Sequence, residues 1–312
     1  MKGMQVEMEK IDQNLFLPLD RSKLNQDLSK DGSIAYWKDV WRRFKKNKPA
    51  IVGGLIILIF IFLAIFGPKM VSYKYDAIDL FNTYKTPDSA HILGTDGLGR
   101  DIWAQVWMGA RVSLFIGVVS AFSQMVIGTL IGAFSGIIGG KTDLIIMRLI
   151  DILIAVPYLI WVSLFMLVFD AGIFSILVVF ALTGWKEIAR LVRGEVLRLK
   201  QKEFITASDS LGASLWWLIR KHFFPNILPV VIVSVTFGIT DAIFTEAFLS
   251  YVGLGIQPPN TSWGTLVSAG VKQLRDYPHT LLPPAILISL TMLSLQLIGD
   301  GLRDATDPKM RV

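Results

Sequence analysis

PAIVGGLIILIFIFLAIFGP, residues 49–68, is a run of twenty residues without a single Asp, Glu, Lys or Arg. As a helix rising 1.5 Å per residue it is about 30 Å long, the thickness of the hydrocarbon core of a bilayer. The same expulsion of charge recurs at 112–140, 152–169, 171–185, 222–240 and 277–299. The expected fold is therefore all-α and integral to a membrane, with six transmembrane helices. The window at 171–185 is the shortest and reaches only about 22 Å. Trp185, Lys186 and Glu187 at its end suit the interface where a helix emerges.

Composition agrees with this reading. Hydrophobic residues make up 53% of the 312 and charged residues 18%, whereas a soluble domain carries about a quarter charged. The net charge of +6 would suit nucleic acid if it lay on one soluble face. It lies instead on one side of the expected membrane. With the N-terminus in the cytoplasm, 24 of the 31 Lys and Arg fall inside and 7 in the outer loops. The positive-inside bias thus places both termini in the cytoplasm, with Arg42, Arg43, Lys45, Lys46 and Lys48 directing the first span. No signal peptide is evident, because the first apolar run lies behind a long polar segment. Cysteine is absent, which excludes disulfides, thiolate clusters and cysteine nucleophiles.

Two segments divide the chain: an N-terminal cytoplasmic segment, 1–48, and a transmembrane domain, 49–312. Residues 1–35 are polar, broken by Pro18 and Gly32, and read as loosely ordered. In 35–44, Trp37, Val40, Trp41 and Phe44 recur at helical spacing, as in an amphipathic helix on the inner membrane surface or an extension of the first span. Gly128, Gly132, Gly136 and Gly140 stand four apart and form one stripe, which lets another backbone approach closely. Arg148 and Asp151, three apart, are expected to pair. After the fourth window the helical period runs on through Ile188, Leu191, Val192 and Leu199, interleaved with charge, as a helix leaving the membrane. Residues 253–264, rich in Gly and Pro, read as an ordered re-entrant or capping loop on the outside.

Features that look catalytic do not assemble. Gly140, Lys141 and Thr142 resemble the end of a phosphate-binding loop, but its first glycine would fall at Ser135 and no strand precedes it. His91, His222 and His279 fall in separate segments without metal-ligand spacing. No serine sits in a G-x-S-x-G elbow. The chain is thus expected to be no enzyme, to bind no metal or cofactor, and to leave ATP and Mg to other subunits. Acids inside a membrane are functional candidates by default. Asp241 and Glu246 are such acids, five residues and so about 140° apart on one helix, and cannot face one site squarely.

Four stretches together resemble the oligopeptide/dipeptide ABC transporter permeases, specifically the C-type of two unlike subunits. They are HILGTDGLGRD, His91 to Asp101, followed by GARVSL, Gly109 to Leu114; GWKEIARLVRGEVLRLKQKEFITASDSLGAS, Gly184 to Ser214; TEAFLSYVGLGIQPPNTSWG, Thr245 to Gly264; and GDGLRDATDP, Gly299 to Pro308. The second contains a version of the EAA loop shared by importer permeases. Ala207, Gly212 and Pro225 match it, while Thr206 replaces its Glu, Ser208 its second Ala, and His222 and Phe224 later apolar positions. An acid stands three places earlier, at Glu203.

The resemblance implies a type I ABC importer permease fold, with a core at about 109–303 and a coupling loop at 203–225. It implies partners as well: a second unlike permease, two cytoplasmic ATPases and an extracytoplasmic peptide-binding protein, all in a bacterial inner membrane. Glu203, Ala207, Ser208, Gly212 and Ala213 would then couple the chain to an ATPase. Leu211, Leu215, Trp216 and Ile219, at helical intervals, would offer the apolar face of a knob that fits a groove. Asp241, outside the shared stretches, would border the peptide path, and Glu246, inside one, would anchor the outer loop. The resemblance also admits nickel or another small solute as cargo. A self-contained secondary transporter would need inverted repeats around a midplane site, and the two halves show none. A membrane enzyme would need a clustered catalytic set.

Overall fold

The computed structural model describes residues 36–170 and 172–307. The expectation of loose order at 1–35 lies outside these residues. Regular structure among them is helical, apart from one isolated antiparallel bridge between Thr95 and Asp101.

Four stretches are long and apolar enough to cross a membrane: Lys48–Lys69, Ile102–Ile138, Leu215–Val252 and Pro278–Thr306. The principal helices in them are α2 (Lys48–Phe66) and α3 (Ile102–Ile138). Short α1 (Tyr36–Phe44) precedes them, with Val40 buried where the helix packs on the end of the chain and Trp37 and Trp41 exposed. Asn47 caps α2 by accepting from the Ala50 N–H at 3.1 Å, and Pro49 sits in its first turn, where an amide hydrogen is not needed.

The third window differs from a straight span. Helices α4 (Gly140–Ala155) and α5 (Tyr158–Phe169) meet at 85° and count as a fifth crossing only if taken together. Pro157 explains the break, since it lacks an N–H and forces Val156 into extended backbone. The fourth window gives only the eleven residues of α6 (Ile173–Thr183), about 16 Å long. Past Gly184, which keeps a right-handed φ of −80°, the chain continues as α7 (Trp185–Lys200). By length and composition the described residues support four crossings, or five with the bent pair. A sixth rests on α6 and α7 together.

Helix α7 lies along α3, and glycines set the distance. A Cβ on Gly128 would meet Ile188 at 2.8 Å, one on Gly132 the Ala189 Cα at 2.9 Å, and one on Gly136 the Val196 Cβ at 2.8 Å. Gly140 is not part of this stripe. The chain leaves α3 at Gly139, φ +71°, and Gly140, φ +58°, opens α4 with nothing near its hydrogens. The helical period that aligned the other three therefore ends one turn too early. Asp143 ties the corner: both its oxygens accept from Arg193, and one also from Ser135. Asp151 pairs with Arg148 at 3.7 Å and more closely with Arg190 of α7. Gly140, Lys141 and Thr142 thus belong to a helix–helix corner.

The chain then forms α8 (Glu203–Ser210), α9 (Leu215–Leu218), a π-turn Ile219–Phe223 and the long α10 (Phe224–Val252). Helix α11 (Trp263–Val271) follows an irregular loop, and α12 (Leu282–Thr306) returns along α2 and α10. One end of the bundle carries 67–101 and 253–281, called here the loop end. The opposite end carries α8 and α9.

Candidate functional site

At the far end from the loops, α8 stops in a hydrogen-bonded left-handed turn. Gly212 N–H donates to the Asp209 carbonyl at 2.9 Å and Ala213 N–H to Ser208 at 3.1 Å, the paired bonds of a Schellman cap. Gly212 supplies the φ of +79° that this turn needs. Ser214 then caps α9, accepting from Trp217 N–H at 3.3 Å. The inner face of this helix–turn–helix is apolar: Ile205, Leu218 and Phe223 are buried together with Val196 and Leu199 of α7. Its outer face shows Leu211, 88% exposed, with Leu215 and Trp216 beside it. Ile219 does not share that face; it packs half-buried on the inner cluster, because the π-turn that starts there rotates it inward. Glu203 and Ala207 are exposed, Ser208 and Ala213 half-buried, and the Ser208 hydroxyl donates back to Phe204 carbonyl. The structure therefore gathers these five residues into one compact knob.

At the loop end, Glu246 of α10 is fully buried and takes three hydroxyl donors. Ser262 donates at 2.6 Å, Ser250 at 2.8 Å and Ser113 of α3 at 3.3 Å. Ser113 also accepts from the Trp263 N–H at 3.1 Å, and the Trp263 ring N–H reaches the Val106 carbonyl at 2.9 Å. A Cβ on Gly264 would strike the Ala247 Cα at 2.6 Å, so the entry to α11 lies directly against α10. The GARVSL and TEAFLSYVGLGIQPPNTSWG stretches, far apart in sequence, thus close around one carboxylate. Sequence reading passed over Ser113, whose single hydroxyl in an apolar run carries no pattern.

The first shared stretch also folds on itself. Asp101 caps α3 through the Ala104 N–H at 2.8 Å and holds the buried His91 ring at 2.9 Å. Asp96 takes Arg100 Nε at 2.8 Å and Gln105 Nε2 at 3.0 Å. Arg111 spans to α2, donating to the carbonyls of Ala64 and Ile65.

Between these ends, Asp241 lies apart from Glu246. Its helix turns it to the surface of the chain, at the mouth of a cavity of about 200 Å³ that Lys186, Glu187, Gln124 and Tyr158 also line. Among the described residues no group of three or more His, Asp or Glu is arranged to hold a metal ion.

A family model described as binding-protein-dependent transport system inner membrane component matches residues 128–312, more than half of the chain. The chain belongs to that family. Residues 35–87 of this inner membrane component match a second model, the N-terminal TM domain of oligopeptide transport permease C. The component is 46% identical to the oligopeptide transport system permease protein OppC of Bacillus subtilis, over 97% of this chain and 100% of that one. It is 41% identical to the dipeptide transport system permease protein DppC of the same organism, over 92% of each. Of solved structures, a chain of the MetNI methionine ABC transporter, in an inward-facing form, superposes with a TM-score of 0.54. That match has 21% identity and covers 65% of this chain and 97% of the other. The latter likeness is one of fold.

Proposed function

We propose that this component is a permease subunit of an ATP-driven importer of oligopeptides or dipeptides. It would form half of the path, beside a second, unlike permease. The observation that carries this reading is the 46% identity with OppC over 97% of this chain and the whole of that one. The α8–α9 knob would seat on a cytoplasmic ATPase: it is a small helical projection with Leu211, Leu215 and Trp216 outward, a form that suits insertion into a groove. ATP and Mg would be bound there and not by this chain. The Lys and Arg bias supports a cytoplasmic knob and an outer loop end. On that outer side, Glu246 would hold the 253–264 loop in place beneath a docked extracytoplasmic peptide-binding protein.

The test is reconstitution. The chain, expressed with its neighbouring permease and ATPases, should co-purify with them and import labelled peptide into vesicles only with ATP and binding protein. Import by the chain alone would overturn the reading, and so would import of nickel with no peptide uptake.

A further inference from the structure

The cavity at Asp241 has chemistry that the packing of this chain does not use. Arg111 marks the loop-side end of α2, where it holds the Ala64 and Ile65 carbonyls. Gly238, one turn from Asp241, faces Ala121, and Gln124 lines the cavity itself. These positions are ten and thirteen residues along α3 from Arg111, or about 15–20 Å, which places the cavity near the middle of a core about 30 Å thick. A charge there is costly unless it faces a partner or water. Yet Asp241 and Glu187 are both exposed on the surface of the chain, and neither receives a hydrogen bond or ion pair from the described residues. Lys186 uses one donor on the Thr183 carbonyl at 2.9 Å. The buried Tyr158 hydroxyl has no partner among the described residues.

A second, larger cavity lies along the same two helices. On α10, Thr245, Asp241, Phe237, Ser234 and Val230 follow at three- and four-residue steps and so share one face. On α7, Glu187, Leu191, Glu195 and Arg198 do the same. The two faces meet the chamber at one end and, toward the knob, a cavity of about 720 Å³. Glu195 and Arg198 neutralise each other there at 2.6 Å, and Arg303 and Asp307 also line that cavity.

From this geometry we infer that the chamber is a binding site for the α-ammonium of a peptide in transit, with Asp241 and Glu187 as its acceptors. The inference rests on the importer reading above. Two carboxylates beside one ammonium leave a net charge of −1, the complement of a single cation. Lys186 and the Tyr158 hydroxyl are then the donors for the first peptide carbonyl. Every peptide carries an α-ammonium whatever its side chains, so a site that reads this group selects the class and tolerates the sequence. The second permease would close the chamber on its open side, since hydrocarbon cannot.

The test compares a peptide with its N-acetylated form in the reconstituted complex, with binding protein saturated by each. Asp241→Asn with Glu187→Gln should lower import of the free peptide about tenfold or more, the loss expected for one charge-assisted hydrogen bond. Import of the acetylated peptide should not change. An unaltered ratio of the two would overturn the inference. Failure of the unsubstituted complex to import either peptide would instead overturn the importer reading. A second measurement needs no substitution: a peptide with a photoreactive first residue, held in the complex, should label 184–191 and 237–245. Labelling confined to other segments would also overturn it.

Discussion

Gly132→Ala adds one methyl group where α3 and α7 touch. The new Cβ would sit 2.9 Å from the Ala189 Cα and 3.0 Å from its carbonyl carbon. Both are backbone atoms of a helix and cannot rotate aside. Carbon atoms are comfortable at about 3.5–4.0 Å, and the Ala189 carbonyl oxygen is nearer still to the new Cβ, so α7 must withdraw by roughly one ångström. Withdrawal loosens the Ile188, Val192 and Val196 side of the buried cluster and the Arg193–Asp143 pair. Overpacking of this kind costs about 1–3 kcal/mol, which lowers a melting temperature by about 2–12 °C at 2–4 °C per kcal/mol. Gly54→Ala is the control, because a Cβ there meets nothing within 4 Å; its expected effect is neutral or slightly stabilising, as for Gly to Ala in any helix. Both variants would be purified in detergent and melted by tryptophan fluorescence. Equal melting of the two would refute the close approach of α3 and α7.

Glu246→Leu should leave the Ser113, Ser250 and Ser262 hydroxyls without their buried acceptor, at about 1–3 kcal/mol for each group; protease should then cut 253–264 faster, with Glu246→Gln intermediate. Gly212→Val puts a β-branched residue at φ +79° with free space around it, so its effect is purely one of backbone, about 1–2 kcal/mol. ATP-driven uptake should fall with the subunits still inserted, and Gly212→Asn, which tolerates that φ, should restore most of it. Reporter cysteines at Ser89 and Asn260 should label from outside in intact cells and one at Gln201 should not; the reverse pattern would overturn the orientation. Lys85 at 2.8 Å, and then the His91 and Ala90 N–H groups, hold the Asp88 carboxyl down at about 2. Its ordering of 85–91 is thus complete above the ordinary value of 3.8 and is lost as pH falls through about 2. Pepsin cutting in that segment, corrected for the enzyme's own pH profile, should rise over this interval in the native chain and be high throughout for Asp88→Asn.

Much of this arrangement is visible in the sequence because a membrane imposes one demand, the removal of charge. Windows 49–68, 222–240 and 277–299 need nothing else and emerge as long helices. The bent third crossing needed a local fact, Pro157, which counting charges ignores. The fourth was obscured because Gly184 ends α6 after eleven residues and charge returns at once with Lys186 and Glu187 at the start of α7, beside the chamber. Spacing separated Asp241 from Glu246 correctly, as the 140° between them puts one on the surface and one in the core. It gave no hint of Ser113, 133 residues from Glu246, nor of the π-turn that moves Ile219 from the outer face of the knob to the inner.

The unbroken stretch Leu215–Val252 has a mechanical consequence. The knob is its foot, Asp241 lies part-way up and Glu246 near its top, about 40 Å from Ile219. A rod of that length tilted by about 10° at its foot swings its top by roughly 7 Å. A small rocking of the knob would therefore be magnified at the outer loop, with the floor of the chamber carried along by an intermediate amount. Timing between the two sides of the membrane then needs no relay of side chains, only a stiff lever.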